Sequence, residues 1–169
     1  ILKMKIKFFA TTLTVLLLLN VSPSAAWDFE SEIDDFGSKR IFATTYFVPG
    51  VGNTDSFDEA YNYDNYFALY IRCQDRKLEV YMNSTSQFGS SSSALVKFGN
   101  GSAKSWSVSR STDKEAIFFR NTSLLVASFQ KSSKFYVRAD GASGYLTANF
   151  ETSGLSAYKN GFKSAGCKI

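Results

Sequence analysis

Tyr66–Met82, which reads YFALYIRCQDRKLEVYM, decides the fold class. Its first arm, 66–72, is built from aromatic and β-branched residues and alternates in character, as a half-buried strand does. Residues 74–76 (Gln-Asp-Arg) interrupt it as a turn. The second arm, 77–82, puts Leu78, Val80 and Met82 on one side. Two such arms across a short polar turn predict a β-hairpin. Because strand residues two apart share a face, Leu69 and Ile71 are expected in the core, with Tyr70 and Arg72 opposite.

Outward from the hairpin the same texture recurs. Strands are predicted at 41–48 (IFATTYFV), 94–98, 104–109, 116–119, 134–139 and 145–150. Pro49-Gly50, Asn100-Gly101 and the Gly141–Gly144 stretch are the turns between them. Two segments have helical spacing instead. Residues 121–131 place Leu124, Leu125, Ser128 and Phe129 in register behind Asn121 or Thr122 as cap. Residues after Ser153, the expected cap, align Leu155, Tyr158, Phe162 and Ala165, with Gly166 as the stop. Many short strands with frequent turns predict a mainly β protein: an antiparallel β-sandwich with two short peripheral α-helices. Residues 27–169 form a single domain, in which 27–38 is acidic and weakly periodic and reads as a loose lead-in.

The start of the chain has another character. Lys5 and Lys7 precede an apolar run, Phe8–Val21, which Pro23 ends before Ser24-Ala25-Ala26. That is the order of a signal peptide over residues 1–26, cleaved before Trp27; a retained anchor is the alternative, although a span needs about 20 apolar residues. Removal of Lys3, Lys5 and Lys7 leaves 16 basic against 15 acidic residues, a net charge of +1. Nothing in that balance asks for nucleic acid, and membrane contact is expected only through the signal peptide. The location implied is periplasmic or secreted. Cys73 and Cys167 are the chain's two cysteines. An even count in an exported chain reads as a disulfide, free buried thiols being the alternative.

Histidine is absent, which excludes histidine-based triads and histidine metal sites. With the cysteines paired, no thiol nucleophile remains. No catalytic or metal-binding residue, and no cofactor, is therefore assigned. Asp55, Asp58, Glu59 and Asp64 form an acidic stretch that fits no calcium-loop spacing; it reads as a solvated loop, with a carboxylate-based hydrolase as the catalytic alternative. Lys104 near Ser107 and Ser109 is proximity of a kind that serine-rich chains produce by chance. The aromatic run Tyr61, Tyr63, Tyr66, Phe67, Tyr70 is the stronger signal. Alternate aromatics usually fill a core, but exposed ones anchor partners. Tyr61, Tyr63 and Tyr66 are the candidate ligand-binding residues.

Leu69-Tyr70-Ile71-Arg72-Cys73, Leu78-Glu79-Val80-Tyr81, Trp106-Ser107-Val108-Ser109, Glu115-Ala116-Ile117-Phe118, Ala148-Asn149-Phe150, Gly154-Leu155 and terminal Cys167 occur in this order over about 100 residues. The pattern resembles the VasI family of bacterial type VI secretion-associated proteins. The resemblance implies an exported, β-rich protein whose two cysteines pair, and it carries over no catalytic residue. The function expected is a non-catalytic accessory or binding role with a protein partner in the cell envelope. The alternative is a glycan- or cell-wall-binding module that uses exposed aromatics. N-terminal sequencing of the exported protein should begin at Trp27; a membrane-bound product that retains Met4 overturns the cleavage site.

Overall fold

The computed structural model describes residues 26–33, 37–54 and 56–169. The expected signal segment up to Ala25, residues 34–36 of the expected lead-in, and Asp55 lie outside the described residues. The hairpin is β4 (Phe67–Gln74) and β5 (Lys77–Ser84), with Phe67 opposite Ser84 and Gln74 opposite Lys77. Asp75 (φ 51°) and Arg76 (φ 63°) make its turn. Two successive left-handed residues match the twist of a two-residue hairpin. Asp tolerates this conformation; Arg76 is held there in contact with Gly166, where a Cβ would come within 2.7 Å of its Cγ.

Among the described residues nine strands follow one another in the sheet order β1-β2-β4-β5-β8-β7-β6-β9-β10, and a tenth, β3, pairs with β2. The first layer holds β1 (Asp28–Ile33), β2 (Lys39–Val48), β3 (Gly52–Thr54), β4, β5 and β8 (Ala116–Phe119). The second holds β6 (Ser93–Phe98), β9 (Lys134–Gly141) and β10 (Gly144–Glu151). β7 (Lys104–Arg110) joins them. Its first residues pair with β6, and Val108, Ser109 and Arg110 then pair with β8. All pairs are antiparallel. The layers meet again at the far side, where the Phe47 and Phe150 rings lie 6.4 Å apart and the Glu151 N–H donates to Asn53 Oδ1 at 3.0 Å. The result is an antiparallel β-sandwich.

Alternation holds along β4. Leu69, Ile71 and Cys73 are fully buried, while Tyr70 and Arg72 sit half-buried on the other face. The core between the layers is aromatic. Phe135 contacts Phe98, Phe119, Phe129 and Phe150 at centroid distances of 5.3, 5.8, 4.9 and 6.4 Å. The fully buried rings among these, Phe129, Phe135 and Phe150, contribute about 1.5–3 kcal/mol each.

Four expectations need correction. Residues 28–33 of the supposed lead-in are β1, because pairing with β2 satisfies their backbone despite three acidic side chains pointing outward. The 50–64 loop contains β3 and α1 (Phe57–Tyr61), so there are three short α-helices among the described residues. α2 (Thr122–Phe129) buries Leu125, Val126 and Phe129 but leaves Leu124 60% exposed, and its cap residue Asn121 makes no side-chain capping bond. The last helical segment is a 3-10 turn (Leu155–Tyr158) running into α3 (Lys159–Ser164). Gly154, at φ 81°, precedes it in place of Ser153, whose hydroxyl instead donates to Glu151 at 3.3 Å.

This C-terminal segment packs on β1. Tyr158 stacks on Phe29 at 4.7 Å, and its hydroxyl donates to the Trp27 carbonyl at 3.0 Å. The Cys73–Cys167 disulfide then ties it to the central strand, with Cα atoms 6.0 Å apart, inside the range a bridge requires.

Two outcomes follow for stability. Ile71→Asp should unfold the domain, since an isolated buried carboxylate costs several kcal/mol, while Arg72→Ala should cost under about 1 kcal/mol; equal urea midpoints refute the face assignment. Cys73→Ser/Cys167→Ser should lose about 2–5 kcal/mol, with amide exchange rising first at residues 153–169; uniform exchange across the chain contradicts a staple at that end.

Candidate binding surface

The outer face of the first layer carries an aromatic row. Thr44, Tyr70, Tyr81 and Phe118 stand abreast in β2, β4, β5 and β8. Tyr70 and Tyr81 stack at 4.8 Å, and Tyr81 meets Phe118 at 5.2 Å. Two residues along, on the same face, Arg72 faces Glu79 and its guanidinium lies 5.3 Å over the Tyr81 ring. Arg72 Nε donates to Glu79 Oε2 at 3.0 Å, and Lys77 Nζ approaches Oε1 at 2.8 Å. Burial pushes the Glu79 carboxyl up, but the hydrogen bonds from Lys77 and Arg72 outweigh it and hold the group below its ordinary range.

At one end of this face α1 closes over the sheet. The Ser56 hydroxyl accepts from the Glu59 N–H at 3.3 Å and caps the helix. Ala60 is fully buried against Tyr46, Val48 and Ala68, with Tyr66 and Tyr70 packed around them. Phe57 contacts Tyr46, Tyr61 and Tyr66 at 6.2, 5.4 and 6.2 Å. The loop's end is pinned to β5, since Thr85 Oγ1 donates to Asn65 Oδ1 at 3.1 Å and the Thr85 N–H to the Tyr66 carbonyl at 3.4 Å.

The three candidate tyrosines divide accordingly. Tyr61 is 68% exposed and Tyr63 39%, while Tyr66 is half-buried and serves to seat Phe57. Sequence reasoning missed Phe57, which is 42% exposed beside Tyr61; the five-residue helix that carries it is too short to show a period. Asp58, Glu59 and Asp64 are exposed around these rings. From Ile41 to Ile71 the sequence has four acidic residues and no lysine or arginine. The patch is therefore aromatic and anionic. Among the described residues no group of three or more His, Cys, Asp or Glu side chains stands together as a metal site.

An antiparallel β-sandwich held by one disulfide is the class these observations define. A solved structure similar to the chain is that of invasion associated protein B from Bartonella henselae, with a TM-score of 0.53 and 11% identity, covering 83% of this chain and 93% of that one. At that identity the likeness concerns the fold. No family model and no curated protein matches the chain. No helix among the described residues is long and apolar enough to cross a membrane. The disulfide fits an oxidising compartment, the periplasm or the cell exterior.

Burial, then the neighbouring Tyr81, Tyr66 and Glu30, push the Tyr70 phenol up to about 12 from 10.0. A raised folded-state pKa means that the neutral phenol's stabilisation is complete below pH 10 and is lost as pH rises toward 12. Denaturation midpoints should fall across that window, and Tyr70→Phe should flatten the fall; an unchanged slope contradicts the burial of this hydroxyl.

Proposed function

We propose that the protein is an exported, non-catalytic binding protein that docks a cationic segment of a cell-envelope protein on Phe57, Tyr61 and Tyr63. The observation that carries this reading is the exposed ring cluster on a pinned, capped helix, surrounded by carboxylates. Tyrosine presents a large rigid surface with few rotatable bonds, so ordering it on binding costs little. Neighbouring asparagines, Asn62 and Asn65, add adaptable hydrogen bonding. The acidic side chains steer basic partners and repel acidic ones.

Export through a cleaved signal segment agrees with the position of Trp27. That residue is 3% exposed, contacts Phe129, and its carbonyl accepts from the Tyr158 hydroxyl, so Trp27 belongs to the packed domain. The resemblance to the VasI family supports an accessory role beside a secretion apparatus. Absence of histidine and pairing of both cysteines favour binding over catalysis.

A photo-reactive amino acid at position 61 of the exported protein should crosslink a protein whose contact segment is rich in lysine or arginine. Purified, that partner should bind with an affinity that drops roughly tenfold or more on Phe57→Ala or Tyr61→Ala and weakens with salt. An adduct to glycan alone, an acidic contact segment, or binding indifferent to both substitutions overturns the proposal.

A further inference from the structure

The outer face of the second layer carries its own cation–aromatic pairs. Two hollows, of about 270 and 520 Å³, adjoin there and share Leu95 and Arg138. Residues 105, 95 and 138 stand abreast in β7, β6 and β9, with Thr147 of β10 next to Arg138. Lys97 pairs with Tyr136 one step along. The Arg138 guanidinium lies 5.9 Å over the Tyr145 ring, and Lys97 Nζ lies 4.4 Å over the Tyr136 ring. Neither cation has a carboxylate partner among the described residues. Tyr145 is 77% exposed and Leu95 47%.

Asp140 shares the outer face of β9 with Arg138, two residues on, and lines the larger hollow beside it. Its Oδ2 accepts from the Ser91 N–H at 3.4 Å and lies where a Cβ on Gly89 would fall, 2.1 Å away. It therefore holds the serine-rich loop down as one wall of the larger hollow. Arg110 fixes the same loop from its other side, donating to the Phe88 and Gly89 carbonyls at 3.0 and 2.8 Å, and Phe88 is buried in the core. The wall is built before any ligand arrives. Ser90, Ser91, Ser93 and Ser105 line the rest of the larger hollow.

We propose that this face binds a segment of an acidic polysaccharide, with Arg138 and Lys97 receiving its carboxylates and Tyr145 packing on a sugar ring. The two cations stand on neighbouring strands at diagonal positions, roughly 7–8 Å apart at Cα, which suits carboxylates on a chain of sugars. A planar guanidinium is matched to a carboxylate's two oxygens. Serine and threonine hydroxyls suit a polyol, which both donates and accepts. Two cations are few for nucleic acid, whose phosphates demand a longer basic track. Basic residues are more frequent in the later part of the chain, with eleven basic against four acidic over 97–169, although Lys159, Lys163 and Lys168 of these belong to the C-terminal segment packed on β1. The anion site and the cation-seeking α1 patch lie on opposite layers, so the protein can hold a glycan on one face and a protein on the other.

Titration calorimetry with an oligogalacturonate is the test, with neutral dextran oligosaccharide and a poly-glutamate peptide as comparisons. The oxidised protein should bind the oligogalacturonate, less tightly as salt rises, and should bind neither comparison to a similar degree. Arg138→Ala and Tyr145→Ala should each weaken binding roughly tenfold or more, with circular dichroism unchanged, since both side chains are exposed. Tyr61→Ala, on the other layer, should leave this affinity intact while it impairs protein docking, which separates failure here from failure of the proposed function. No binding by the unaltered protein, or undiminished binding by Arg138→Ala, overturns the site. Equal binding of poly-glutamate shows an acidic-peptide site, and equal binding of dextran shows that the cations do not select; either result overturns the acidic-sugar assignment.

Discussion

Phe135 stands where both layers and α2 meet. Its ring touches Phe98 and Phe150 from its own layer, Phe119 from the other, and Phe129 from α2. A sandwich is stable only if side chains from both inner faces fill the gap of about 10 Å between them. In this chain phenylalanine does most of that filling, and helix α2 supplies the plug at one end. The C-terminal segment adds a second closure, through Phe162 in the core and the bridge from Cys167 to Cys73. Removing the central ring would therefore loosen contacts to four elements at once rather than to one neighbour.

Packing the inner faces so completely has a consequence for the outer ones. Strand alternation commits every second residue of β2, β4, β6 and β9 to the core, and the remaining residues are free to carry binding groups. On the first layer these include Tyr70, Tyr81 and Phe118, flanked by α1 and its carboxylates. On the second they are Lys97, Arg138, Tyr136 and Tyr145. The exposed acids of the first layer's face sit on α1 and the loop after it, while β6 and β9 present Lys97 and Arg138 on the second. The protein thereby offers two unlike surfaces.

Much of this was legible in residue order. The 66–82 hairpin and its faces, the later strands and the glycine turns are local features, and alternation or turn chemistry announces each one. β1 was hidden because Asp28, Glu30 and Glu32 make its exposed face polar, and only pairing with β2 reveals it as a strand. α1 was hidden because a helix of five residues is too short to show a period. The C-terminal helix was visible, but its start was misjudged: Gly154 takes the left-handed conformation there, so Ser153 is left outside the helix.

For the sites the division is sharper. The sequence by itself determined that two cysteines were available to pair, that histidine chemistry was excluded, and that a tyrosine-rich acidic stretch lay before the hairpin. These are matters of inventory, and inventory needs no coordinates. Only the tertiary structure decided which tyrosines reach solvent: Tyr66 turns to support Phe57, while Tyr61 and Tyr63 point outward. It alone assembled Lys97, Arg138 and Tyr145, which lie up to 48 residues apart in the chain and meet because β6, β9 and β10 are neighbours in one layer. The physical reason is that strand pairing brings together residues distant in sequence, and the register of that pairing is chosen by the core side chains on the opposite face.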